Sequence, residues 1–151
     1  PRKTAFLGKE AGLRYRYSGK TMTSVQWSPL VAELANMIAL QTGQLFNVCL
    51  LNYYRDGNDY LGFHSDDERD MPTGSIIASI SLGETREFLF RRKANKKQQL
   101  LYLLMNGDLL IMGGTTQQLW QHSLPKAAKG TRKGARLNFT FRLVKEQYLK
   151  K

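Results

Sequence analysis

The chain has only two histidines, and one of them, His64, stands two residues before an aspartate, Asp66. In an extended segment that spacing puts both side chains on one side of the backbone, so they can reach a single ion. His122, in the downstream stretch Leu119-Trp120-Gln121-His122-Ser123, would complete a set of two imidazoles and one carboxylate, which suits ferrous iron with coordination positions left open for reactants. On its own, His-x-Asp is equally the mark of a histidine held by an aspartate for structural reasons, because so short a pattern recurs by chance. A second stretch, Arg136-Leu137-Asn138-Phe139-Thr140-Phe141-Arg142-Leu143, alternates strictly between polar and apolar. As a strand it carries Arg136, Asn138, Thr140 and Arg142 on one face. That face is either the wet side of a half-buried sheet or a pocket wall whose guanidiniums grip the carboxylates of a diacid.

These residues need elements to hold them. Ser28-Pro29 reads as an N-cap with proline in the first turn, and Leu30, Val31, Leu34, Met37 and Ile38 recur at helical spacing until Gly43 ends the segment. The period then changes to two, predicting short strands at Phe46–Tyr54, Tyr60–His64, Ile76–Leu82, Glu87–Arg91, Leu100–Leu104, Asp108–Met112 and Arg136–Leu143. Between them, Asp56-Gly57, Pro72-Thr73-Gly74, Asn106-Gly107 and Gly113-Gly114 supply turn chemistry, with Asn106-Gly107 expected to close a tight hairpin. Many short strands after one helix, with no internal repeat, predict a mainly β fold with a flanking helix, a sandwich or jelly roll.

In their order along the chain these motifs resemble the AlkB family of Fe(II)- and 2-oxoglutarate-dependent dioxygenases. The family's iron-binding pattern is similar to His64-x-Asp66 followed by His122, and its 2-oxoglutarate pattern to Arg136-x-Asn138-x-Thr140-x-Arg142. Pro1-Arg2-Lys3, Tyr15-Arg16-Tyr17-Ser18-Gly19, Phe46-Asn47, Asn52-x-Tyr54, Asp66-Asp67-Glu68, Ile77-Ala78-Ser79 and His122-Ser123-Leu124-Pro125 further resemble its eukaryotic-type DNA-repair subgroup. The resemblance implies a double-stranded β-helix, the jelly-roll form of that family. It also implies an oxidative demethylase of N-alkylated bases such as 1-methyladenine and 3-methylcytosine, which consumes O2 and 2-oxoglutarate and releases formaldehyde. Under it, His64, Asp66 and His122 are the catalytic iron ligands. Arg142 pairs with the distal carboxylate of 2-oxoglutarate, Arg136 lies near its iron-binding end, Asn138 and Thr140 share their face, and Asn52 and Tyr54 add hydrogen bonds. On the substrate side Tyr17 and His64 sandwich an extruded base, Tyr15 contacts its edge, Glu68 helps recognise it, and Arg2 and Ser18 complete the contacts. Cross-strand packing is the alternative for Tyr15 and Tyr17. The subgroup's duplex-wedging hairpin lies upstream of the Pro-Arg-Lys segment, so an upstream segment is expected to be missing and single strands, including RNA, are the less demanding substrates.

Composition bounds the remainder. A chain of 151 residues fits one domain, 1–151, whose folding removes roughly 70% of the unfolded chain's surface from water. Its net charge of +11 favours a polyanionic partner, nucleic acid first. Arg91-Arg92-Lys93, Lys96-Lys97, Lys126, Lys129 and Arg132-Lys133 are the candidate phosphate contacts, whereas Asp66-Asp67-Glu68-Arg69-Asp70 reads mostly as a solvated loop. No apolar run is long enough to span a membrane, and the opening Pro1-Arg2-Lys3-Thr4-Ala5-Phe6 lacks an apolar signal core, so secretion is not expected. The single Cys49 sits in an apolar run and is expected to be buried and inert. A monomer is expected, inside the cell and in the nucleus if the source is eukaryotic. Three alternatives stay open: an RNA demethylase, a 2-oxoglutarate dioxygenase acting on protein or a small molecule, and a catalytically dead nucleic-acid-binding module.

Overall fold

The computed structural model describes residues 2–17, 20–66 and 70–149. The chain runs through β1 (Lys3–Gly8), β2 (Arg14–Tyr17), β3 (Lys20–Thr23) and β4 (Val25–Gln26) into α1 (Pro29–Thr42). The helix begins and ends where its sequence signals lie. Ser28 accepts a hydrogen bond from the Val31 amide, Pro29 occupies the first turn, and Gly43 closes the helix in the left-handed region at φ 73°, which costs glycine nothing. The apolar stripe is narrower than the period suggests. Val31, Ala35 and Ile38 are buried, while Leu30 and Met37 are exposed, so the inward face is rotated toward Ala35.

Strands β5 (Val48–Tyr54), β6 (Leu61–His64), β7 (Ile77–Gly83), β8 (Arg86–Arg92), β9 (Gln99–Leu104) and β10 (Leu109–Met112) follow, then α2 (Thr116–Leu119), β11 (Trp120–Leu124), β12 (Arg136–Arg142) and a final 3-10 turn at Glu146–Tyr148. They form a six-stranded sheet in the order β10-β7-β12-β5-β1-β4 and a four-stranded sheet in the order β6-β11-β8-β9, with β2 and β3 paired separately. From β5 onward the chain alternates between the two large sheets except at the β8–β9 hairpin, which stays in the smaller one, the winding of a double-stranded β-helix. Side-chain alternation then sorts the residues into layers. Cys49, Ala78 and Phe141 face α1 and form one core with Val31, Ala35, Ile38 and Phe46. Ile77 and Met112 meet Phe88, Phe90 and Leu104 of the smaller sheet in a second core, so the two sheets pack face to face.

Strands β1 to β4 precede the helix, whereas the sequence places its alternating segments after it, and two further features depart from the sequence reading. Asn106-Gly107 does not close a hairpin, because β9 belongs to the small sheet and β10 to the large one. Asn106 Oδ1 accepts the Gly83 amide and Gly107 donates to the Ser81 carbonyl, so the turn is fastened to β7 and carries the chain across the sandwich. Strand β11 was also not expected: Trp120-Gln121-His122-Ser123-Leu124 lacks clean alternation and becomes a strand through its pairing with β6 and β8.

Candidate metal and cosubstrate site

Neighbouring strands of the small sheet bring the two histidines together. His122 on β11 stands directly opposite His64 on β6, and the rings meet edge to face with centroids 4.2 Å apart. Asp66 follows β6 and turns back between them. Its carboxylate lies 3.9 Å from His64 Nε2 and 3.6 Å from His122 Nε2, and one ligand atom from each of the three residues falls within 4.8 Å of the others. Two neighbours hold Asp66 in place: its amide donates to Gln117 Oε1 of α2 at 2.9 Å, and Ser65 Oγ donates to the Trp120 carbonyl at 2.9 Å.

The donor set fits a divalent ion. His64 Nδ1 is 2.9 Å from the Gly62 carbonyl, which places the ring proton on Nδ1 and leaves the Nε2 lone pair facing the cluster. Burial pushes the His122 imidazole down to about 4, against the pull of Asp66 and with the positive charge of Arg142 adding to the fall. His122 is therefore neutral at physiological pH, the form a metal requires. Phe88 stacks on it at 5.4 Å. The cluster is open on one side only, since the side chains of Asp66 and His122 are 3% and 5% exposed and that of His64 is 24% exposed.

Across the cavity lies the inner face of the large sheet. Arg136, Asn138, Thr140 and Arg142 are all buried, so β12 presents its polar face inward as a pocket wall, not outward as a wet surface. β5 contributes Asn52 and Tyr54, and β7 contributes Ser79 and Ser81. Burying so many polar groups requires that they satisfy one another. Asn138 is the hub: it donates to Ser79 Oγ at 2.6 Å and accepts from Asn52 at 3.2 Å and Thr140 at 3.0 Å. Leu61, Phe88, Met112 and Leu124 complete the lining and keep water out.

The two arginines sit opposite to their expected roles. Arg142, expected at the far carboxylate of the diacid, reaches the metal cluster, with Nη2 2.9 Å from Asp66 Oδ1. Arg136, expected near the iron, lies at the other end of β12, paired in register with Tyr54 and Gly83. There it donates to Ser81 Oγ at 2.7 Å and packs 5.4 Å over the Tyr54 ring. The direction of β12 across the cavity decides this, and one strand's sequence does not contain it. Burial lowers Arg136 to about 10, with the neighbouring Arg86 adding to the shift and Tyr54 opposing it; the group stays cationic. Its Nε has no hydrogen-bond partner among the described residues.

The base-contacting residues divide. Tyr15, expected at the edge of a bound base, is 3% exposed and stacked on Phe6 at 5.3 Å, within a core that includes Val48 and Val144. It is a packing residue and does not line the cavity. Arg2 donates to Asn52 Oδ1 and lines the cavity on the cosubstrate wall. Ser18, Glu68 and the side chain of Tyr17 lie outside the described residues. Sequence reasoning missed Gln117, Ser79, Ser81 and Phe88. For Ser79 and Ser81 the alternation of Ile77-Ala78-Ser79-Ile80-Ser81 was a usable signal; Gln117 gives none.

Comparison with known proteins accords with this geometry. Residues 3–142 match the family model described as 2OG-Fe(II) oxygenase superfamily. The chain is 40% identical over 151 residues to the DNA oxidative demethylase ALKBH2 of Bos taurus, covering 95% of this chain and 53% of that protein. It is also 40% identical to the Homo sapiens ALKBH2, with 57% of that protein covered. Identity to the alpha-ketoglutarate-dependent dioxygenase alkB homolog 3 of Rattus norvegicus is 40% over 153 residues, covering 95% of this chain and 50% of that protein. The chain thus spans between about half and three fifths of these relatives. The solved structure of OsALKBH1 superimposes with a TM-score of 0.68 at 22% identity, over 93% of this chain and 78% of that one, which shows the shared fold.

Proposed function

Because the chain belongs to the 2OG-Fe(II) oxygenase superfamily, we propose that it oxidatively demethylates N-alkylated nucleic-acid bases in DNA repair, using Fe(II), 2-oxoglutarate and O2. The observation that carries this reading is the pairing of a two-histidine, one-carboxylate cluster within 4.8 Å with a buried arginine wall facing it. Relatives with 40% identity that are named DNA oxidative demethylases support the choice of substrate class.

His64, Asp66 and His122 would hold the ferrous ion, which, with O2 and 2-oxoglutarate bound, supplies the oxidation of the N-methyl carbon to hydroxymethyl, with succinate and carbon dioxide as co-products. The hydroxymethyl group leaves as formaldehyde and the base is restored. Arg136 and Tyr54 take the distal carboxylate of the diacid: a guanidinium offers that group a planar, permanently charged fork. Arg142, Asn52, Asn138 and Thr140 line the stretch between that end and the metal, and Arg142 keeps Asp66 oriented. Phe88 and Leu124 exclude water beside His122. The exposed edge of His64 marks where a base arrives, and a base must leave its stack to get there. Unstacking costs a few kcal/mol for a paired base and less for a damaged one, which favours lesions on the pairing edge.

Nucleic acid is the proposed partner, and nuclear action the proposed setting in a eukaryotic source; no helix among the described residues is long and apolar enough to cross a membrane. The test is formaldehyde release from an oligonucleotide carrying 1-methyladenine, dependent on added Fe(II) and 2-oxoglutarate. His122→Ala is expected to abolish release while leaving the far-ultraviolet circular dichroism spectrum unchanged. Release that survives that substitution rules the assignment out.

A further inference from the structure

Near the Tyr54 ring lies a third buried arginine, besides Arg136 and Arg142. Arg86 opens β8 and is 2% exposed. All its described hydrogen bonds go to backbone carbonyls: Nη1 donates to Asp56 at 3.0 Å, and Nη2 to Asp59 at 2.9 Å and Pro125 at 2.7 Å. The carboxylates of Asp56, Asp59 and Glu84 act on it from a distance, but Asp59 is bonded instead to Arg55 at 2.8 Å. Arg86 thus keeps a positive charge in the interior without a bonded counter-ion among the described residues.

Its neighbours make that placement costly. The guanidiniums of Arg86 and Arg136 lie 5.9 Å and 5.4 Å from the centroid of the same Tyr54 ring, and Arg2 also acts on that ring. The charge of Arg86 also acts on Arg136, as like charges in one buried region repel, and bracing three carbonyls is a task that a neutral donor also performs. The cost is offset when an anion arrives among them. The inner face of β8 runs Arg86, Phe88, Phe90, so the strand that packs aromatics against His122 at one end sets this cation at the other.

We propose that Arg86 is a positioning residue for the diacid cosubstrate, fixing the Tyr54 ring and adding a further buried positive charge near Arg136 that favours a ligand with a distal carboxylate. The proposal rests on the cosubstrate reading above. It predicts selectivity between two ligands, which a purely structural brace does not.

The experiment measures anaerobic binding of two acids to the Fe(II)-loaded protein by calorimetry: 2-oxoglutarate, and 2-oxopentanoate, which has a methyl group in place of the distal carboxylate. Arg86→Gln is expected to weaken 2-oxoglutarate by about tenfold or more, the scale of a charge interaction across about 10 Å at an effective dielectric constant of about 20, and to leave 2-oxopentanoate within about twofold. Arg86→Lys, which keeps the charge and loses the fork, is expected to fall between Arg86→Gln and the unsubstituted protein in its preference for the diacid. Equal weakening of both acids in Arg86→Gln, or no change in either, overturns the proposal. Should Arg86→Gln not fold, Arg86→Lys carries the test, and a diacid preference equal to that of the unsubstituted protein overturns it there. If the unsubstituted protein itself does not distinguish the two acids, the cosubstrate reading has failed; if it does and Arg86→Gln distinguishes them equally well, only the role of Arg86 has.

Discussion

Asp66 is bonded to Arg142, takes its orientation from Gln117 and faces two imidazoles, so one carboxylate depends on four separate elements, β12, α2, β6 and β11. Outer partners of this kind typically alter metal affinity by 10–100-fold. Gln117→Ala is accordingly expected to weaken Fe(II) binding by about tenfold, read by metal titration, with thermal stability little changed because Gln117 is only part-buried. An affinity equal to that of the unsubstituted protein would show that Arg142 and Ser65 suffice to orient Asp66.

The site's far end is built by connections between strands. Gly83 ends β7 at φ 90°, where an added Cβ would lie 2.5 Å from the Ala135 carbonyl, one residue before Arg136. Gly83→Ala is expected to lower stability by about 1 kcal/mol or more and to raise the KM for 2-oxoglutarate, since relieving the clash moves the start of β12. An unchanged KM would uncouple that turn from the cosubstrate. Two carboxylates fasten the same region. Arg55 holds Asp59 well below the usual carboxylate range through a side-chain hydrogen bond and its amide, and the Gly134 amide and Lys133 lower Glu84. Both bind a proton less readily folded than unfolded. Their contribution is therefore complete above about pH 4 and is lost as the pH falls below it. Urea midpoints at neutral pH and near pH 3 test this: Asp59→Asn is expected to be less stable than the unsubstituted protein at neutral pH and to lose less on acidification. An identical acid loss in both proteins would contradict it.

Over the whole molecule, the +11 charge is spread unevenly in its availability. Lys133 is engaged with Glu84, Arg91 packs 3.8 Å over Phe63, Arg92 lies over Trp120 and Lys126 over Tyr60. Guanidiniums and ammoniums stacked on aromatics keep their charge and still attract phosphate. Affinity for a single-stranded oligonucleotide is expected to fall about tenfold or more between about 50 and 200 mM salt, as counterions released on binding compete more strongly. Fluorescence anisotropy reads it directly, and a flat affinity would remove the electrostatic account of binding.

Local chemistry in the sequence determined the helix limits, most strand positions, the His64, Asp66 and His122 set and the polar face of β12, because capping, alternation and donor type are properties of neighbouring residues. What only the tertiary structure decided was direction and enclosure. A strand's alternation states that Arg136 and Arg142 share a face but not which of them meets the metal; that depends on how β12 crosses β6 and β11 from the opposite sheet. The same holds for Tyr15, whose partner Phe6 lies on a strand with no clear signal, for β11, which owes its extended form to its neighbours, and for Arg86, which becomes part of the site only when β8 closes over Tyr54.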